Sequence, residues 1–211
     1  MGTQRRIQPV TDNKDKQRTY QELMGKHSKA MRYEFYIEAL MIDYAMLEDR
    51  LRSFLYYIGV FDSRESYKAT SKEKITKPLK SAMEKYITNE ENTSLNVGTI
   101  SGKMKIIRCT LQWYEKLDGE PQDKYLKALK KKYDGIDVAG LLDTLEKVNE
   151  WKDYRNEVMH AALNKNIDEL YQDLASRAKE GMVLGRFVDS QVRELKKGKN
   201  SIRKTMGIVE K

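Results

Sequence analysis

Residues 38–59 read EALMIDYAMLEDRLRSFLYYIG. Leu40, Tyr44, Leu47, Leu51, Phe54 and Ile58 recur at steps of three and four, the period of an α-helix. Phe35, Ala39, Ile42 and Met46 form a second stripe beside the first. An apolar arc this wide must be covered on more than one side. The spacing therefore predicts a central helix over residues 28–58, or one that also meets a second subunit. Gly59 stands where helices often end on a glycine.

Outward from this element the chain reads as further helices. Ser71 begins a helix to Ile87, with Pro78 as a break or as its true first turn. Residues 88–100 are rich in Asn, Thr, Ser and Gly and read as a loop. Residues 101–117 follow as a helix, then a turn at 118–121, then a short basic helix at 121–133. Asp134-Gly135 breaks the chain before a second long helix over 137–163, carrying Leu141, Leu145, Val148, Trp151 and Val158. A last helix spans 167–197, with Gly181 and Gly185 as a weak point or hinge. No alternating strand pattern and no internal repeat is present. The expected fold class is all-α, an up-and-down bundle of four to six helices over residues 26–197. Residues 1–25 read as a flexible basic arm and 198–211 as a basic C-terminal tail.

Composition narrows the setting. The 211 residues are 39% hydrophobic and 34% charged, with three prolines. One cysteine, Cys109, excludes an internal disulfide framework and fits a cytoplasmic location. No apolar run approaches the ~18 residues of a membrane span. The net charge of +8 is concentrated at the two ends. Residues 1–30 carry seven Lys/Arg against three Asp/Glu, and 193–211 carry seven against two, so the middle is close to neutral. Basic arms gain affinity for phosphate backbones by releasing counterions.

The common cofactor and hydrolase motifs are missing from the sequence: a glycine-rich phosphate loop, a dinucleotide fingerprint, a zinc spacing, a Gly-x-Ser-x-Gly elbow. No cofactor and no metal is expected, so chemistry must come from Arg, Lys, His, Tyr and carboxylates. Residues 151–164, WKDYRNEVMHAALN, gather them. Asn156 and His160 stand four apart and share a helix face, while Arg155 is turned from His160 by about 140°. Such a set suits RNA cleavage without metal. A histidine exchanges protons near neutral pH and can take one from a 2′-hydroxyl or give one to the leaving 5′-oxygen. A guanidinium clamps the phosphate and stabilises its added charge. The Asn amide bonds phosphate or orients the imidazole. Two chains meeting along this helix would supply two histidines. Tyr154 is the adjacent stacking or proton-sharing residue, and Lys130, Lys131 and Lys132 are a basic run for an RNA backbone. His27 falls in the polar stretch before the core and reads as a surface residue.

Arg155-Asn156-Glu157-Val158-Met159-His160 resembles the Arg-x(4–6)-His signature of the HEPN superfamily in its Arg-Asn-x-x-x-His form. The long helix at 38–59 is similar to that family's first helix. The resemblance implies a HEPN-like bundle and a metal-independent endoribonuclease that leaves a 2′,3′-cyclic phosphate, in a toxin–antitoxin or phage-defence setting. It also implies a homodimer whose two signatures, with Arg155, Asn156 and His160 as catalytic residues, line one RNA cleft. A cognate antitoxin or regulatory protein is a further expected partner. A polar or acidic residue from another helix often supports such a site, which makes Glu38, Asp43 and Glu48 candidates. The alternative is a catalytically silent HEPN-type module that binds nucleic acid, nucleotide or a protein partner.

Overall fold

The computed structural model describes residues 14–87, 95–161, 173–197 and 201–208. Eight helices and no strand occur among them. They are α1 (Lys14–Arg32), α2 (Tyr36–Tyr57), α3 (Glu73–Glu84), α4 (Ile100–Glu115), α5 (Lys124–Tyr133), α6 (Val138–Ala161), α7 (Leu174–Lys196) and α8 (Ile202–Thr205). No described helix is long and apolar enough to cross a membrane. The chain forms two compact units, each assembled from two stretches of sequence. Residues 1–50 and 143–190 make unit 1, and residues 51–142 and 191–211 make unit 2. Helices α2, α6 and α7 contribute to both.

Residues 1–13 lie outside the described residues, and unit 1 corrects the reading of residues 14–25 as part of an arm. From Lys14 onward they are helical, and Tyr20, Met24, His27 and Ala30 are buried along one face of α1. Tyr20 and Met24 pack with Met46 and Met182, beside Ile42. The long element predicted from residue 28 breaks at Glu34, which takes a left-handed conformation (φ 60°). There the Phe35 amide reaches back to the Ala30 carbonyl at 2.8 Å, closing the end of α1.

Polar groups inside unit 1 are cross-linked. The fully buried Arg50 donates to Asp189 at 3.2 Å, to the Tyr20 hydroxyl at 2.7 Å and to Asp49. Lys16 and the Tyr20 hydroxyl each reach Asp49 at 2.5 Å. Residues far apart in sequence thus satisfy one another where water is excluded. Burial alone would raise the Asp49 carboxyl. Arg50 and Lys16, together with the hydrogen bonds from Lys16 and Tyr20, outweigh it and hold the pKa below the usual value. A carboxyl lowered on folding stabilises above its unfolded pKa of about 4, and that stability is lost as pH falls through the lower folded value. Asp49→Asn is therefore expected to be less stable than wild type at pH 6, with the gap narrowing below about pH 4. Urea midpoints across pH 2–7 measure this, and a gap that stays constant into acid would refute it.

Trp151 of α6 is fully buried, and its indole N–H donates to the Arg177 carbonyl at 2.8 Å. Gly181 is no hinge; α7 runs through it without interruption. A Cβ there would stand 2.5 Å from Trp151 Cζ2 and 3.0 Å from Asp43 Oδ2. Glycine is what lets the α7 backbone approach the indole. Gly181→Ala is expected to cost about 1–3 kcal/mol through overpacking, despite the better helix propensity of alanine. Urea unfolding measures it, and a neutral or stabilising result would show that Trp151 has room to move.

Unit 2 is built on the end of α2. Leu51, Phe54, Leu55 and Ile58 are buried, and Gly59 ends the helix with φ 87°. The Ile58 carbonyl, left over at that end, accepts from the buried Tyr125 hydroxyl at 3.0 Å. Asp123 caps α5 by accepting from the Tyr125 and Leu126 amides, and Thr99 caps α4 by accepting from Gly102. Helix α3 begins at Glu73 and runs through Pro78, which is neither a break nor a first turn. Residues 201–208 correct the expectation of a tail, since Ile202, Arg203, Met206 and Ile208 are buried. Ile202 and Ile208 pack against Gly59, within 3.3 and 3.6 Å of where a Cβ would lie. The polar residues between them are what made the segment read as solvent-exposed.

Candidate functional site

Helix α6 buries Val148, Trp151, Val158 and Ala161 along one face. Arg155, one turn after Trp151 and one before Val158, falls on this same inward seam. It is only half-buried, because its chain turns across α2. The guanidinium carbon sits 4.4 Å above the ring centroid of Tyr44. Nη1 donates to the Asn156 side-chain oxygen at 3.1 Å, and Nη2 lies against the Met41 sulfur. The buried Nε has no hydrogen-bond partner among the described residues. Among the described residues, the groups that hold Arg155 are an amide, a thioether and an aromatic face. None is charged, and Arg155 forms no ion pair with a described residue.

His160 is exposed, one turn beyond Asn156 on the same face. The hydrogen bonds of Arg155 go to Asn156 and Met41 rather than to His160. Within one chain the structure therefore joins Arg155 to Asn156 and leaves His160 at the adjoining surface. Leu163, the expected end of the helix, lies outside the described residues.

The supporting residues separate. Glu48 stays near, half-buried on α2, and its charge acts on Tyr44. Burial chiefly raises the Tyr44 phenol, Glu48 adds to the rise, and Arg155 opposes it. Glu38 is exposed at the start of α2. Asp43 points away from the cluster. It is buried and faces His27 Nε2 at 3.2–3.3 Å. Burial raises its carboxyl pKa, against the hydrogen bond and charge of His27 and the charge of Arg186. His27 is thus a core residue, not a surface one. Tyr154 pairs with α7, its ring 5.0 Å from the Arg177 guanidinium carbon. Its phenol is raised mainly by burial and by Asp173.

The basic run in α5 also divides. Lys130 is bridged to Glu120 at 3.1 Å and to Asp134 at 3.7 Å. Lys131 is exposed and, with Lys124 and Lys127, lines a cavity of about 330 Å³ in unit 2. Lys132 is buried and donates to the carbonyls of Leu195 and Lys197 at 2.7 and 2.9 Å. A phosphate backbone has no access to it as a surface contact, which corrects its assignment to RNA. Trp113 and Trp151 are core residues, and Tyr114 bonds Asp134 at 2.8 Å.

Sequence reasoning missed Met41 and Tyr44. Tyr44 sat in the main apolar stripe and was read as core. Its phenol was the available signal, since a tyrosine in a core stripe needs a polar neighbour for its hydroxyl. Among the described residues no group of three or more His, Cys, Asp or Glu side chains could hold a metal ion. No family model, no curated protein and no solved structure matches this chain.

Proposed function

We propose that the chain is a metal-independent endoribonuclease of the HEPN type, a homodimer with a HEPN-like helical bundle, acting in a toxin or phage-defence setting. The observation that carries the reading is the state of Arg155. It is a half-exposed cation oriented by Asn156 and the Tyr44 ring, its partners among the described residues all neutral, five residues before an exposed histidine on the same helix. A cation so held is oriented for an incoming anion, and a scissile phosphate supplies one.

In this reading Arg155 binds a non-bridging phosphate oxygen and stabilises the charge that grows as the 2′-oxygen attacks. Asn156 fixes the guanidinium. His160 moves the proton, from the 2′-hydroxyl or to the departing 5′-oxygen. One imidazole per chain covers one of the two proton transfers, so a second chain at the same cleft completes the set. Exposed Met41 and Met159 beside Arg155 support a partner surface there, at 40% and 37% exposure.

The test is cleavage of labelled single-stranded RNA and bulk tRNA in EDTA, by wild type and His160→Ala side by side. Cleavage by wild type alone, with 2′,3′-cyclic phosphate ends, is the expected result. RNA bound but intact in both would replace the enzyme with a binding module. Activity that EDTA abolishes would remove the mechanism.

A further inference from the structure

Residues 60–70 of unit 2 belong to no helix, yet they are closed and pinned. The Thr70 amide donates to the Val60 carbonyl at 2.7 Å, which brings the two ends together, and the Thr70 hydroxyl donates to Asp62 at 2.7 Å. A surface segment closed in this way is an Ω-loop. Two guanidinium groups hold its main chain. Arg52 of α2 donates to the carbonyls of Arg64 and Ser66, and Arg203 of α8 donates to those of Phe61 and Asp62. The Arg52 guanidinium also lies over two rings of the loop. Its carbon is 5.0 Å from the centroid of Phe61, which is buried at the loop's base.

The second ring is Tyr67, 4.8 Å from the same carbon. Tyr67 is nevertheless 82% exposed. One face of it rests on a guanidinium that the loop's own carbonyls hold in place, and the rest meets solvent. The ring is therefore oriented before anything binds it, which lowers the ordering cost of binding. A cation against one face draws π density toward itself and leaves the outer face receptive to an electron-rich plane. A nucleobase is such a plane, and it needs one open ring to stack on. A protein partner needs a contiguous apolar patch instead. Tyr67 offers none. It is the only exposed large hydrophobic residue of unit 2 among the described residues, and its neighbours Glu65 and Lys68 are exposed and charged. Lys68, next in the chain, has the sign that a phosphodiester takes.

We propose that Tyr67, held on Arg52, is a stacking platform for one unpaired purine base of a single-stranded nucleic acid. The platform lies in unit 2 and does not depend on the reading of α6. The shared chemistry is the base, which either RNA or DNA can supply.

Fluorescence anisotropy of labelled oligonucleotides with the full chain at about 0.15 M salt tests it. Octadeoxyadenylate is the first probe, since DNA has no 2′-hydroxyl to attack its own phosphates. Tyr67→Ala should weaken its binding about tenfold, the effect of losing one stacked base. Tyr67→Phe should stay within about twofold, because the ring and not the hydroxyl stacks. Tyr33→Ala removes an exposed tyrosine of unit 1 and should change nothing. An abasic octamer should bind wild type about tenfold more weakly than octadeoxyadenylate and should not sense Tyr67→Ala. In Tyr67→Trp the new exposed indole should be quenched as octadeoxyadenylate saturates, while Trp113 and Trp151 lie in the core. Octaadenylate, measured in the His160→Ala variant, assigns the RNA source if it binds about tenfold tighter than octadeoxyadenylate, and any single strand if the two are equal. Three outcomes overturn the proposal: no saturable binding of either oligonucleotide, equal affinity for octadeoxyadenylate and the abasic octamer, or Tyr67→Ala binding as wild type does. The last would leave the ring to a protein partner.

Discussion

His160→Ala is expected to fold as wild type does and to cleave RNA about 10²–10⁴-fold more slowly, the range for losing a positioned acid or base. The fold should survive because His160 is exposed, and exposed substitutions usually stay within about 0.5 kcal/mol. Arg155→Ala should cost a comparable factor, about 10²–10³, as for a lost electrostatic stabiliser. Its fold is at more risk, since the guanidinium lies on Tyr44. Arg155→Lys separates the two effects. It keeps the charge and the aliphatic stem but loses the planar fork that meets both Asn156 and a phosphate. Single-turnover rates in EDTA, beside urea midpoints, are the measurement. A His160→Ala rate equal to wild type would remove the imidazole from the chemistry. A rate lost only in step with stability would make Arg155 a packing residue.

Arg50→Ala is expected to destabilise the protein by about 3–5 kcal/mol, the range for breaking a buried ion pair from one side. The side chain is fully buried and serves three acceptors on three helices: Tyr20 of α1, Asp49 of α2 and Asp189 of α7. Its removal takes a buried cation away from two carboxylates, one of them nearly buried, beside a phenol that burial already raises, and leaves Asp49 to Lys16 and Tyr20. Loss of the desolvated charges' partner dominates over loss of packing volume. Arg50→Lys should fall between the two, because one ammonium cannot reach all three acceptors with guanidinium geometry. Urea unfolding at pH 7 reads the difference. A loss under about 1 kcal/mol would mean that water or their remaining partners satisfy the two carboxylates.

The stripe in 38–59 showed α2 because its burial is local to one helix and repeats with the helical period. The break at Glu34 was hidden, because Tyr33 and Phe35 look like a continuation of that stripe. They are in fact 61% and 57% exposed. Helix α1 was obscured differently. Tyr20, Met24, His27 and Ala30 have helical spacing, yet lysines, glutamines and arginines surround them. What makes the face a core face is Asp43 and Asp49 on another helix. Periodicity cannot register a polar core whose partners are tertiary. The adjacent Arg155 and Asn156 were legible as a pair. The Tyr44 ring beneath them was not, being 111 residues away in sequence. In Lys130-Lys131-Lys132 the letters are identical and the helix rotates each to a different fate.

The interleaved chain order of the two units has a consequence for synthesis. Unit 1 is opened by residues 1–50 and closed by 143–190, and unit 2 is opened by 51–142 and closed by residues from 191 onward. Neither is a vectorial domain that folds once its own segment has emerged. The first hundred residues contain Asp49 and Arg50 but not Asp189, and Gly59 but not Ile202 or Ile208. A nascent chain halted before residue 174 presents the Met-rich face of α1 and α2 without Met182 to cover it. The early apolar surface must therefore wait, exposed or chaperoned, for the ribosome to deliver α7 and α8.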